Sequence, residues 1–154
     1  MSERAEGLES FPVTADHDNY VPTTAAVDAL ENLFREVRAG TAPVVLVGTA
    51  GVGKTMLLRV LEQRLVSSFR VVFLPFAALP ADELCTWILG LLGQSPGRDP
   101  ERDLLAAGLR LEESGSALVV MLDDAGSMPV ATARRLSALF AEGEGALRLV
   151  LALS

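Results

Sequence analysis

Eight consecutive residues have the types and the spacing that phosphate binding requires. The pattern G-x-x-x-x-G-K-[ST] fits the run Gly48-Thr49-Ala50-Gly51-Val52-Gly53-Lys54-Thr55. Glycines let the backbone turn tightly and direct its N–H groups at phosphate oxygens, and a helix that begins there adds the positive end of its dipole. Lys54 would bring a positive charge to the β- and γ-phosphates, and the Thr55 hydroxyl suits Mg²⁺. The run therefore predicts a loop that holds a nucleoside triphosphate.

Two adjacent acids form a second group of residues that could take part in chemistry. Asp123 and Asp124 directly follow the apolar run Leu118 to Leu122, which is typical of a buried strand. We expect Asp123, at the strand tip, to support the Mg²⁺ shell. Asp124 would then face the γ-phosphate and orient the attacking water. The alternative for both acids is that they only cap the turn that follows the strand.

The surrounding chain alternates apolar strands with amphipathic helices, which are the elements that must position these residues. Strands are predicted at 44–47, 70–74, 117–122 and 147–153. Helices are predicted from Thr23 or Thr24 to about Arg38, Met56 to Phe69, Pro80 to about Leu92, Pro100 to about Ser114, and about Pro129 to Glu142. Apolar strands that alternate with helices indicate a parallel sheet covered on both faces. The expected fold class is α/β, in three αβα layers.

Composition limits the classes of function. The chain has 154 residues, half of them hydrophobic, which is enough for one domain with a sizeable core. A formal net charge of −7 disfavours a broad nucleic-acid surface, although a local basic patch stays compatible with it. Cys85 and His17 are the single cysteine and the single histidine, so a disulfide framework and a Cys/His zinc site within one chain are both excluded.

The sequence also predicts the cellular location of the protein and the boundary between its tail and its folded core. Apolar runs of about six residues are too short to span a bilayer, and no secretion signal opens the chain, so we expect a cytoplasmic protein. Residues 1–19 are polar and aperiodic and are interpreted as a flexible tail. Residues 20–154 are interpreted as one nucleotide-binding core. Because the chain stops directly after an apolar strand, we expect a fragment or a deletion form.

Four segments of the chain together resemble the AAA+ ATPases. They are Tyr20-Val21-Pro22 before a helix, Val44 to Gly48, Gly51 to Arg59, and Leu122-Asp123-Asp124-Ala125. Within that class the chain is most similar to the general secretion pathway component A type, the ATPases related to ExeA. The transposition-helper ATPases are near relatives of this pattern. The resemblance covers the chain from Tyr20 to Ser154.

The resemblance implies a P-loop NTPase that binds ATP or ADP with Mg²⁺ and hydrolyses ATP. It makes Thr55 and Asp123 the metal residues. Lys54, Asp124 and Ser154 become the catalytic residues, with Ser154 as a polar sensor near the γ-phosphate. The nucleotide contacts that it implies are Tyr20, Val21, Gly48, Thr49, Ala50, Gly51, Val52, Gly53, Lys54, Thr55 and Met56. Tyr20 stacks on the adenine or packs as a plain core tyrosine; both interpretations stay open.

The same resemblance implies a strand order of 5-1-4-3-2 in which the fifth strand, the arginine finger and the helical lid are missing from this chain. The first strand would then be an exposed edge that invites pairing with another chain. The family usually has Glu where Asp124 stands, and often an Asn where Phe76 stands. Arg134 and Arg135 are interpreted as surface arginines in preference to contacts with a neighbour's nucleotide.

Two functions remain as hypotheses. The first is an ATPase that drives or switches a partner complex, as a homo-oligomer or beside another AAA+ neighbour. The second is a nucleotide-dependent interaction module with little or no hydrolysis, which the shorter Asp124 side chain favours. In both cases the protein partner is unknown, and the acidic composition does not support nucleic acid as a partner. A small-molecule kinase or a GTPase is disfavoured, since neither lid arginines nor the guanine-reading Asn-Lys-x-Asp pattern can be found.

Overall fold

The computed structural model describes residues 24–40, 42–48 and 52–153. It contains five α-helices, four strands and one short 3₁₀ turn within these ranges. The helices are α1 (Thr24–Ala39), α2 (Val52–Leu65), α3 (Ala81–Leu91), α4 (Pro100–Glu113) and α5 (Val130–Glu142). The strands are β1 (Val44–Val47), β2 (Arg70–Leu74), β3 (Leu118–Leu122) and β4 (Leu147–Leu153), and the 3₁₀ turn is Ala125–Ser127.

The four strands form one parallel sheet in the order β1-β4-β3-β2. The register places Val47 beside Leu153 and Leu122 beside Leu151. Because all strands run in one direction, the segments that follow β1 and β3 emerge at the same edge of the sheet, with β4 between them. This arrangement confirms the α/β fold class and the predicted order of the first four strands.

Helices cover both faces of the sheet, as the continuous apolar strands predict. On one face α1 and α2 pack against Val119 and Met121 of β3. On the other face α3, α4 and α5 pack against Leu118, Val120 and Leu122 of the same strand. All five residues of β3 are therefore buried, and this strand is the centre of the core that carries Asp123 at its end.

α1 begins its buried face at Ala26 and repeats it through Ala29, Leu33 and Val37, a spacing that keeps apolar side chains on one side of a helix. The helix ends at Gly40, whose φ of +64° suits glycine. Arg148 of β4 fixes this end, because its guanidinium donates hydrogen bonds to the carbonyls of Val37 and Arg38, each over 2.9 Å. A Cβ at position 40 would lie 2.7 Å from the Arg148 Cζ atom.

β1 pairs with β4 along one side, and no described strand pairs with its other side. Val45 and Val47 of this strand are each 36% exposed, whereas Val44 and Leu46 are buried against α1 and α2. β1 is thus an edge of the described sheet. Pairing of this edge with another chain stays a prediction.

The helix behind the glycine-rich run differs most from its predicted bounds. It begins at Val52, inside the phosphate-loop pattern, and ends at Leu65 rather than at Phe69. Its end is a turn in which the N–H groups of Ser68 and Phe69 both bond to the Leu65 carbonyl. The Phe69 ring packs beneath Arg148, with the guanidinium carbon 4.9 Å from the ring centroid.

Several predicted features lie outside the described residues. They are the tail at 1–19, the residues Tyr20 and Val21, the loop residues Thr49, Ala50 and Gly51, and Ser154. Among the helices that are described, none combines the length and the apolar character that crossing a bilayer requires. The cytoplasmic location stays a prediction.

Candidate functional site

The candidate site lies at the carboxyl edge of the sheet, where β1 leads to Gly48 and β3 leads to Asp123. Two main-chain hydrogen bonds extend the strand pairing one residue further at this edge. The Gly48 N–H donates to the Leu153 carbonyl over 3.2 Å, and the Asp123 N–H donates to the Leu74 carbonyl over 2.9 Å. The backbone on both sides of the site is therefore anchored to a neighbouring strand.

A direct contact joins the glycine-rich run to the acids. The Thr55 hydroxyl donates a hydrogen bond of 2.6 Å to Oδ2 of Asp123. Thr55 lies in the first turn of α2 and Asp123 follows β3, so the contact joins the loop helix to the end of the central strand. Both side chains are only partly buried and can reach a ligand that enters from the open edge.

The Asp123 carboxylate is held through both of its oxygens. Oδ2 accepts from Thr55, and Oδ1 accepts from the backbone N–H of Asp124 over 2.9 Å. One donor on each oxygen fixes the plane of the carboxylate. Asp123 thus presents a defined pair of oxygens at the strand tip instead of a freely rotating group.

Lys54 lies beneath the same edge and is only 5% exposed. Its ammonium donates hydrogen bonds to two main-chain carbonyls, that of Gly48 over 2.7 Å and that of Leu153 over 2.8 Å. Burial lowers the pKa of Lys54 below 10.5, while the charges of Asp123 and Asp124 act in the opposite direction. The side chain is placed between the loop and the acids, where a positive charge would meet phosphate.

Asp124 adopts a left-handed backbone conformation, with φ 52° and ψ 41°. This region costs an L-residue about 1 kcal/mol, although Asp and Asn enter it more readily than most. The Asp124 carbonyl accepts hydrogen bonds from Ser127, 3.2 Å from its N–H and 2.7 Å from its hydroxyl. The exposed Asp124 side chain stands beside Asp123 at the open edge.

The other residues considered from the sequence lie around or away from this centre. Phe76 follows β2 and is 44% exposed. Arg135 forms an ion pair with Glu101 on α4, which agrees with its interpretation as a surface arginine. Met56 is buried behind the loop. Arg148 lies at the amino end of β4, on the opposite edge from Asp123.

Sequence reasoning missed two contributors to the site. One is the Leu153 carbonyl, a main-chain group that carries no sequence signal. The other is Ser127, whose hydroxyl bonds to the carbonyl three residues earlier. A serine three residues after an acid is a familiar turn pattern, and this signal would have pointed to the contact.

The donor set suits Mg²⁺, which prefers oxygen ligands, because Thr55 offers a hydroxyl and Asp123 a carboxylate. Within the described part of the chain there is no group of three or more His, Cys, Asp or Glu residues that would hold a metal alone. A metal ion here would therefore be shared between these two side chains, phosphate oxygens and water.

A separate cavity of about 610 Å³ lies at the other edge of the sheet. It is lined in part by Pro43, Glu112, Phe140 and Arg148, near the amino ends of β1 and β4. None of the residues that line it belongs to the loop or to the acid pair. Its lining offers neither the glycine-rich backbone nor the paired oxygens that a nucleotide with Mg²⁺ requires.

Comparison with known proteins identifies the family of this chain. Residues 37–154 match the family model described as an AAA domain. No curated protein sequence matches the chain.

Several solved structures share its fold. The Aeropyrum pernix ORC2 protein, in its ADPNP-ADP complexes, has a TM-score of 0.58 at 20% identity over 84% of this chain and 40% of that chain. Cdc6p from Pyrobaculum aerophilum has a TM-score of 0.61 at 16% identity over 97% of this chain and 42% of that chain. A structure of Drosophila ORC bound to GC-rich DNA and Cdc6 has a TM-score of 0.54 at 13% identity over 93% of this chain and 54% of that chain. The chain thus spans about half the length of these structures or less.

Proposed function

Because the chain belongs to the AAA domain family, we propose that it binds Mg-ATP at the loop from Gly48 to Thr55 and hydrolyses it in an assembly-dependent way. The hydrolysis would drive or switch a partner complex. Residues 20–154 would form the nucleotide-binding core, and ATP, ADP and Mg²⁺ would be its ligands.

The observation that carries this proposal is the hydrogen bond between Thr55 and Asp123. A glycine-rich turn alone binds phosphate in many proteins, but catalysis of phosphoryl transfer also needs a metal beside the phosphates. Here the hydroxyl from the loop helix and the carboxylate from β3 meet at hydrogen-bond distance. They would form the two protein ligand positions of such a site.

Each residue would have a separate task in the reaction. Lys54 would exchange its carbonyl partners for phosphate oxygens and neutralise their charge. Asp123 and Thr55 would hold the metal, which supplies electrostatic stabilisation of the transferred phosphoryl group when it is bound. Asp124 would accept a hydrogen bond from the attacking water and so orient it. Tyr20 and Val21 would contact the base, and Ser154 the γ-phosphate.

A second function, a nucleotide-dependent interaction module with little hydrolysis, is favoured by the geometry of Asp124. Its backbone is fixed in a left-handed conformation, and its side chain is one methylene shorter than the glutamate that AAA+ relatives of the resemblance usually carry. The shorter Asp124 side chain would hold the attacking water less firmly than a glutamate would. In this case nucleotide binding alone would recruit the partner.

Binding of a fluorescent ATP analogue tests the shared part of both functions. We expect binding with Mg²⁺ that weakens at least tenfold in Lys54→Ala, because an ammonium–phosphate contact is lost. Arg64→Ala is the matched control, since it removes a positive charge from the last turn of the same helix. Absence of binding by the unmodified protein, or an equal loss in both variants, would overturn the proposed nucleotide site.

Phosphate release separates the two functions. An assembly-dependent hydrolase shows a rate per chain that rises with protein concentration and falls in Asp124→Asn. Tight binding with no turnover at any concentration would support the interaction module instead. Membership of the secretion-type subfamily stays a prediction, and no partner is identified. A nucleic-acid partner would show binding that is lost at modest salt.

A further inference from the structure

Ser127 closes the turn that follows the two acids. It is the last residue of the 3₁₀ turn Ala125–Ser127, and it contacts Asp124 twice. Its N–H and its hydroxyl both donate to the Asp124 carbonyl, at 3.2 Å and 2.7 Å. The hydroxyl makes the shorter of the two contacts, so the side chain supplies the better hydrogen bond.

These contacts stabilise a residue whose backbone conformation is unfavourable. Asp124 lies in the left-handed region, which persists only where the surroundings over-determine it. In that conformation its N–H points back to Oδ1 of Asp123 over 2.9 Å. The conformation of Asp124 and the orientation of the Asp123 carboxylate are therefore linked.

The linkage continues to the loop helix. With Oδ1 held by the Asp124 N–H, the other oxygen of Asp123 faces Thr55 and accepts its hydroxyl at 2.6 Å. A carboxylate held on one oxygen only can rotate about its Cβ–Cγ bond. Loss of the hydrogen bond from the Asp124 N–H would leave the carboxylate held by Thr55 alone, and its two oxygens would no longer be fixed in one plane.

We propose that Ser127 is a positioning residue for the metal site, which it orients through Asp124 and the carboxylate of Asp123. This inference rests on the proposed Mg-ATP function. Ser127 touches neither nucleotide nor metal; it stabilises the left-handed turn that aims the metal-binding oxygens. The prediction is specific to the metal, because Lys54 holds its carbonyl partners independently of this turn.

A Mg²⁺ titration of nucleotide binding tests the proposal with Ser127→Ala. At fixed fluorescent ATP analogue, the Mg²⁺ concentration at half-saturation is expected to rise several-fold, by less than the roughly tenfold that removal of a direct partner of a metal ligand causes, because Ser127 bonds to Asp124 and not to Asp123. Affinity for the analogue in excess EDTA is expected to stay unchanged. A role in general stability would lower both affinities together.

Two further variants control the result. Ser114→Ala removes the same kind of bond, from a hydroxyl to the carbonyl three residues earlier, at the far end of α4. It should leave the Mg²⁺ requirement unchanged. Ser127→Thr keeps a hydroxyl and should restore most of the metal affinity.

The outcomes are distinct. An unchanged Mg²⁺ requirement in Ser127→Ala, with normal binding by the unmodified protein, would overturn the role of Ser127 and leave the proposed function standing. Equal losses with and without Mg²⁺ would also overturn it. Failure of the unmodified protein to bind Mg-ATP would overturn the proposed function and this inference with it.

Discussion

The hydroxyl of Thr55 donates a 2.6 Å hydrogen bond to Oδ2 of Asp123, across 68 positions of sequence. Thr55 lies in the helix that follows β1, and Asp123 follows β3, which is separated from β1 in the sheet by β4. The parallel order of the strands brings them together at one edge. A metal ion at this edge would be held by ligands from both the loop helix and the central strand.

Removal of this contact should weaken binding of Mg²⁺ more than binding of the nucleotide itself. We expect Thr55→Ala to lose most of the Mg²⁺-dependent gain in affinity for an ATP analogue, and to lose about 1 kcal/mol of unfolding free energy with the hydrogen bond. Isothermal titration with and without Mg²⁺ measures the first effect and urea unfolding the second. Thr55→Ser, which keeps the hydroxyl, should behave like the unmodified protein. The same Mg²⁺ dependence in Thr55→Ala would contradict the assignment.

The left-handed conformation of Asp124 predicts an order of stability among its variants. Asp124→Ala should lower the unfolding free energy by about 1 kcal/mol, because a Cβ-bearing residue without a polar side chain is disfavoured there. Asp124→Asn and Asp124→Gly should be tolerated, since both residues enter this region readily. Urea unfolding of the three variants provides the comparison. Equal values for alanine and asparagine would show that the backbone carries no strain at this position.

Substitution of alanine for two helical glycines should change the free energy of unfolding in opposite directions. A Cβ on Gly108 of α4 would lie 2.4 Å from Cδ2 of Leu147, so Gly108→Ala overpacks the contact between α4 and β4 and should cost about 1–3 kcal/mol. A Cβ on Gly90 of α3 meets nothing within 4 Å. Gly90→Ala should therefore gain about 0.5–1 kcal/mol through helix propensity. Thermal unfolding distinguishes the pair; stabilisation by both substitutions would mean that α4 can move away from the sheet.

Cys85 should make the fold less stable at alkaline pH. Burial first, and then the charge of Glu101, raises the pKa of this thiol from 9.0 to about 12. The native state therefore keeps a proton that the unfolded chain releases, and stability falls as the pH rises from 9 towards 12. The expected loss is roughly 1 kcal/mol at pH 10.

Urea unfolding between pH 7.5 and pH 10 checks this loss when the unmodified protein is compared with Cys85→Ala. The alanine variant lacks the thiol and should show a shallower decline. In the native protein the thiol should also resist iodoacetamide until the chain unfolds. Parallel curves for the two proteins would exclude a buried thiol as the source of the pH dependence.

Local sequence patterns are sufficient to predict most helices and strands of this fold. The strands at 70–74 and 147–153 have the bounds that their apolar runs predict. Helix α4 also begins at Pro100, as predicted, and the Asp99 side chain in front of it accepts the Arg102 N–H. These features depend on neighbours within one or two turns, so the sequence carries them directly.

The features that escaped prediction depend on groups distant in sequence or without a side-chain signal. Helix α2 begins at Val52 because its first turn belongs to the loop, where the glycines mask the start of the helical pattern. The left-handed backbone of Asp124 follows from hydrogen bonds with Ser127, which residue type alone does not show. The order of the strands came from a family resemblance, since alternation of helices and strands fits several orders.

The position of Lys54 has a consequence for affinity. Without a ligand its ammonium is already satisfied by the carbonyls of Gly48 and Leu153. A phosphate must therefore compete with the protein's own backbone for this cation, and measured affinity reports the difference between the two sets of contacts. When phosphate wins, the last carbonyl of β4 loses one of its two donors and keeps the Gly48 N–H. The occupancy of the loop would thus change the hydrogen bonding at the end of β4 through a single lysine.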